Sequence, residues 1–166
     1  MNGIALTLRA LHHGEGRLAR HFVTVAQRHR TEHEVHHVAG DLAAWSREHV
    51  RRLADTAAGR GLDLGGPSGT SDASDDGILA TLRRKTAELT GHRPEPALLL
   101  LRDLRDLHLD ATENSLHWEM LAQAAQASRD SALLGLASAC HPQTLRQMRW
   151  TNTMIKTLSP QALTSP

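Results

Sequence analysis

The stretch IALTLRALHHGEGRLARHFVTV, residues 4–25, places Ile4, Leu8, Leu11, Leu18, Phe22 and Val25 at alternating steps of four and three. That spacing lines apolar side chains along one face of an α-helix. One position of the stripe is skipped, and the residue there is Glu15. The next stretch, RHRTEHEVHHVAGDLAAWSREH at 28–49, keeps the rhythm through Val35, Val38, Leu42 and Trp45 and ends it on His49. Thr31 followed by Glu34 reads as a capping box. A first helix of roughly 3–29 therefore hands over through a tight turn to a second starting near Glu32. His33, His36 and His37 fall off the stripe and read as a solvated face, where the i, i+4 pair His33 and His37 would bind nickel or zinc only adventitiously.

The chain has no tyrosine, one phenylalanine and almost no alternation of period two, so the reading is all-helical. Past Ala58, GRGLDLGGPSGTSDASDDG is too polar and glycine-rich to order itself, and residues 60–76 are expected to form a flexible connection. A short helix is expected at about 77–90. Pro94 and Pro96 then open a third long helix with Leu101, Leu104, Leu107, Trp118 and Leu121 on its apolar face and Leu109, Leu116 and Met120 in a parallel row. Ser128 reads as the cap of a fourth helix from Arg129, with Leu133, Ala137, Cys140, Leu145, Met148 and Ile155 inward. Pro142 predicts a kink near Cys140, and residues 159–166 a frayed tail. Two helical hairpins joined by a long connection predict one domain over 1–166: an antiparallel four-helix bundle of ferritin-like connectivity, with a crossover between helices 2 and 3.

A dinuclear iron or manganese bundle needs inward carboxylates and imidazoles, usually two single glutamates and two Glu-x-x-His pairs. Residues equally far from the turn of a helical hairpin lie side by side. Turns near Thr31 and Ser128 therefore bring Glu15 level with His49, and Glu113 with His141. Glu15, His49, Glu113 and His141 are thus the candidate ligands for iron, manganese or zinc. Three residues before each histidine, however, stand Ser46 and Ser138 in place of bridging glutamates. Serine is a poor ligand for these ions, so one ion fits this donor set better than two.

The segments LHHGEGRLARHF (11–22), AAWSREHVRRLA (43–54), ENSLHWEMLAQAAQA (113–127) and ACHPQTLRQMRWTNTMIKTLSPQAL (139–163) resemble a bacterial family of the ferritin-like superfamily. The resemblance covers most of the chain outside the glycine-rich connection, and the last segment is its most specific part. It implies the fold rather than an activity, because the superfamily hosts oxidases, storage cages, redox enzymes and members that have lost the metal. Ser46 and Ser138 depart from its Glu-x-x-His pattern.

No Gly-rich phosphate loop, nucleophile elbow or Ser-His-Asp order is present, so the common enzyme mechanisms lack a motif here. A formal charge of +1 gives no reason to expect nucleic acid or an anionic membrane as partner. Cys140, the lone cysteine, excludes an internal disulfide and reads as core packing. No signal peptide and no membrane-spanning run is legible, which predicts a cytoplasmic protein. The functional expectation is a ferritin-like bundle with a degenerate di-metal site, a stress-related module that binds a protein partner or itself. The alternative is a metal-binding protein with a redox or metal-handling role.

Overall fold

The computed structural model describes residues 2–65 and 95–166, and the short helix expected at 77–90 lies outside them. The described residues form four helices: α1 Gly3–Arg28, α2 His33–Ala58, α3 Pro96–Ala127 and α4 Ser131–Thr164. Among the described residues there is no strand, and no helix is long and apolar enough to cross a membrane.

The ends of the helices follow local chemistry. Asn2 caps α1 by accepting from the Ala5 amide at 2.8 Å. The Thr31–Glu34 capping box does not form. Glu32 takes the extended N-cap conformation, so the third helical position belongs to Val35 rather than to an acidic residue. Pro96 sits in the first turn of α3, where a missing N–H costs nothing. Ser128 closes α3 instead of opening α4. The amides of Arg129 and Asp130 bond back to the carbonyls of Gln126 and Ala125, with Arg129 at φ 56°, the left-handed residue of such a closure. Asp130 is the true cap of α4, accepting from the Leu133 amide at 3.1 Å.

Cross-helix contacts fix the directions. Glu15 and Arg28 of α1 meet Trp118 and Asp103 of α3, and Ser46 and His49 of α2 meet Gln147 and Gln143 of α4. Each of these pairs is antiparallel, as are the two hairpins, so α2 and α3 run the same way. The interior holds two apolar clusters. One gathers Leu18, Phe22, Val25, Val35, Leu42, Leu104 and Leu107. The other gathers Leu8, Leu11, Leu53, Trp118, Leu121, Leu133 and Cys140. Burying each Leu or Phe contributes about 1.5–3 kcal/mol of transfer free energy.

Two apolar faces and one helix differ from the sequence reading. Leu109, Leu116 and Met120 are exposed, because the buried row of α3 runs through Leu100, Leu104, Leu107, Ala111, Trp118 and Leu121 on the opposite side. On α4, Leu145 is exposed and the inward positions are Cys140, Thr144, Gln147, Thr151 and Met154. Finally, α4 continues through Pro142 and Pro160 to Thr164, so the helix does not break at Pro142 and residues 159–164 are helical. The carbonyl that Pro142 leaves unbonded belongs to Ser138, an exposed residue whose backbone water can serve.

Candidate functional site

Each helix interrupts its apolar stripe at the same depth, between the two clusters. On α1 the interruption is Glu15, between Leu11 and Leu18; on α2 it is Ser46 and His49; on α3, Asn114 and Ser115; on α4, Thr144 and Gln147. All are buried, and Glu15, Ser46, His49, Thr144 and Gln147 are fully enclosed. The result is a polar layer across an apolar interior.

Glu15 Oε1 is its centre. It accepts from the Trp118 indole N–H at 2.9 Å and from the Thr144 hydroxyl at 3.4 Å, and His49 Nδ1 lies 3.1 Å away. That last approach is close but off the line a hydrogen bond requires. His49 Nε2 is bonded to the Gln143 side-chain oxygen, Oε1, at 2.7 Å. Trp118 packs edge-on against the same imidazole, ring centroids 5.9 Å apart. Gln147 closes the layer by donating to Ser46 Oγ at 2.9 Å and to the Leu42 carbonyl at 3.0 Å. Beside Glu15, a Cβ on Gly14 would stand 2.2 Å from Asn114 Oδ1, so glycine is what lets the buried Asn114 fit there.

Of the four candidate ligands the structure brings Glu15 and His49 together and leaves Glu113 and His141 apart. Glu113 sits at the expected depth but on the outer face of α3, bridged to Arg17 at 3.2 Å. The inward positions at that level belong to Asn114 and Ser115. His141 stands one residue past the Cys140 stripe, where its Nε2 is 2.9 Å from Ser115 Oγ and its Nδ1 3.8 Å from Glu119 Oε2. The two serines also differ: Ser46 is buried in the layer, whereas Ser138 faces outward. Among the described residues, no three His, Cys, Asp or Glu side chains gather as a metal-binding group. The described residues therefore do not gather the donor set of a dinuclear metal centre.

Comparison with protein-family models, with curated proteins and with solved structures finds no match to this chain.

Several atoms of the interior have no hydrogen-bond partner: Glu15 Oε2, Asn114 Nδ2 and Gln147 Oε1 among them. A buried carboxylate oxygen without a partner is costly, so the layer carries unused acceptor capacity. Nearby, His12 is buried one turn before Glu15, and burial, then the charge of His13, lowers its basicity. Cys140 is buried, and desolvation pushes its thiol up to about 12, which makes it core packing rather than a nucleophile. The cations Arg51 and Arg52 are both engaged by Glu48, whose exposed carboxyl Arg51 and then Arg52 hold down at about 2.

A second buried ionic group lies toward the other end of α1 and α3. Both oxygens of Asp103 stand 2.8 Å from Arg28 Nη1, and Oδ2 is 2.7 Å from His29 Nε2. Burial raises the Asp103 pKa, but the bonds from His29 and Arg28 outweigh it and hold the carboxyl below the usual range. This cluster and the partners of Glu15 on α3 and α4 escaped the sequence reading. Trp118 was the available signal, since a buried indole N–H needs an acceptor and Glu15 was an acceptor in want of a donor.

Proposed function

We propose that the chain is a ferritin-like bundle whose central site has become a structural polar layer, and that it acts as a non-catalytic binding module. Its connection from α2 to α3 is then the crossover of that superfamily, since α2 ends and α3 begins at opposite ends of the molecule. The observation that carries the reading is the mutual engagement of the interior groups. Glu15 is held by Trp118 and Thr144 and approached by His49. Ser46, standing where a bridging glutamate would be needed, is occupied by Gln147. A layer closed by amides, hydroxyls and an indole offers little anionic charge to a transition metal.

One observation favours the alternative, a single iron, manganese or zinc ion: the unpartnered Oε2 of the enclosed Glu15. Anaerobic titration of untagged protein with ferrous iron, followed by admission of oxygen, separates the readings. The expected result is no stoichiometric uptake and iron oxidation no faster than in buffer. Saturation at one or more ions per chain, lost in Glu15→Gln, would establish the metal-handling reading instead.

A further inference from the structure

Helix α3 has two apolar faces, and the core uses one of them. Opposite the buried row, Leu109, Leu116 and Met120 are 58 %, 61 % and 51 % exposed, and Leu98 continues their line toward the N-terminus. Arg102, Arg105 and Glu113 fall on the same line, so Leu98, Arg102, Arg105, Leu109, Glu113, Leu116 and Met120 recur at steps of three and four along an outward face. Such a seam is what one helix presents to another. Large side chains exposed in register, rather than singly, mark an interaction surface.

The order of residues on the seam identifies the occupant. We propose that α3 pairs with α3 of a second copy of this chain, antiparallel, about a two-fold axis at Leu109. In a two-fold pairing, residues equally far on either side of the axis face each other, because both helices rise by the same 1.5 Å per residue. Leu109 then meets Leu109 of the second copy. Four residues away on either side, Arg105 meets Glu113, and symmetry supplies this ion pair twice. Seven residues away, the stem of Arg102 lies over Leu116. Eleven residues away, Leu98 meets Met120. The layers are thus apolar, oppositely charged or, at Arg102 and Leu116, an aliphatic stem over an apolar side chain. Among the described residues, Arg105 and Glu113 make exposed bridges, to Asp106 and Arg17, which cost little to rearrange. The pairing gives the binding-module reading a partner and rests on that reading, but it fails separately from it, because self-association is measured without reference to iron.

Sedimentation of the full chain at increasing concentration tests it, with helical content checked by circular dichroism. Wild type is expected at twice the 18.2 kDa chain mass. Arg105→Glu should bring like charges together and weaken association at least tenfold, as should Glu113→Arg, and the double exchange should restore it. Both substitutions are on exposed positions, and restoration by the double variant excludes simple misfolding. A wild-type monomer over the whole concentration range would overturn the proposal. In that case the thiol of Leu109→Cys reports what stands there: a shielded thiol means another segment of the same chain, an open one means no occupant. A dimer that Arg105→Glu leaves intact would overturn it too, because the contact would lie elsewhere.

Discussion

His49→Leu is expected to lower stability by on the order of 3–5 kcal/mol, whereas Glu15→Gln should cost about 1–2 kcal/mol, both read from urea unfolding at neutral pH. The asymmetry follows from what each change leaves behind. Leucine removes the imidazole facing Glu15 and strands a carboxylate that is fully enclosed, with one oxygen already unpartnered. It also orphans the Gln143 carbonyl oxygen that His49 Nε2 serves at 2.7 Å. Glutamine in place of Glu15 still offers an oxygen to the Trp118 indole and the Thr144 hydroxyl. The substitution also removes the enclosed carboxylate itself, so no acidic group is left buried without its partner. Equal losses in the two variants would mean that the imidazole is not what sustains the enclosed carboxylate.

A comparable loss is expected at the other ionic group, and there it depends on pH. Asp103 has a folded pKa below its unfolded value of about 3.9, so its contribution is present above that value and is lost as pH falls through the folded one. Asp103→Asn removes the anion and leaves buried His29 and part-exposed Arg28 facing an amide. A cost on the order of 2–3 kcal/mol is expected at pH 7, lower than for a sealed pair because Arg28 remains in reach of water. The two stability curves should begin to approach each other below about pH 4 and meet only as pH falls through the lowered folded pKa of Asp103. Parallel curves down to acid pH would show that the carboxylate is not what holds this end of α1 to α3.

The sequence made the helices legible because their information is local. The four-and-three rhythm of Ile4 to Val25 and the proline at the start of α3 each name an element without reference to any other. Glu15 and His49 were legible too, since an antiparallel hairpin with a short turn converts sequence distance into height, and they stand 3.1 Å apart. Height without phase was not enough for the second hairpin. Glu113 lies at the expected depth, but one position further on Asn114 faces inward, and a 100° error about the helix axis turns a ligand into a surface charge. The same limit explains Leu109, Leu116 and Met120. A helix with two apolar stripes does not say which one its own core takes, and the choice is made by α1 and α4 packing on the Trp118 side. The Asp103 group needed still more, because Arg28 and His29 are some seventy residues away in sequence.

The claim that the central layer is held by its own groups is tested most directly by thermal melting of untagged wild-type protein, with and without a strong chelator, beside Glu15→Gln. If hydrogen bonds and the Glu15–His49 pair sustain the layer, the two wild-type curves superpose, and Glu15→Gln melts lower by the same amount in both conditions. A wild-type Tm that falls on chelation and recovers with added iron, manganese or zinc, with no such response in Glu15→Gln, would contradict the account and place an ion on Glu15.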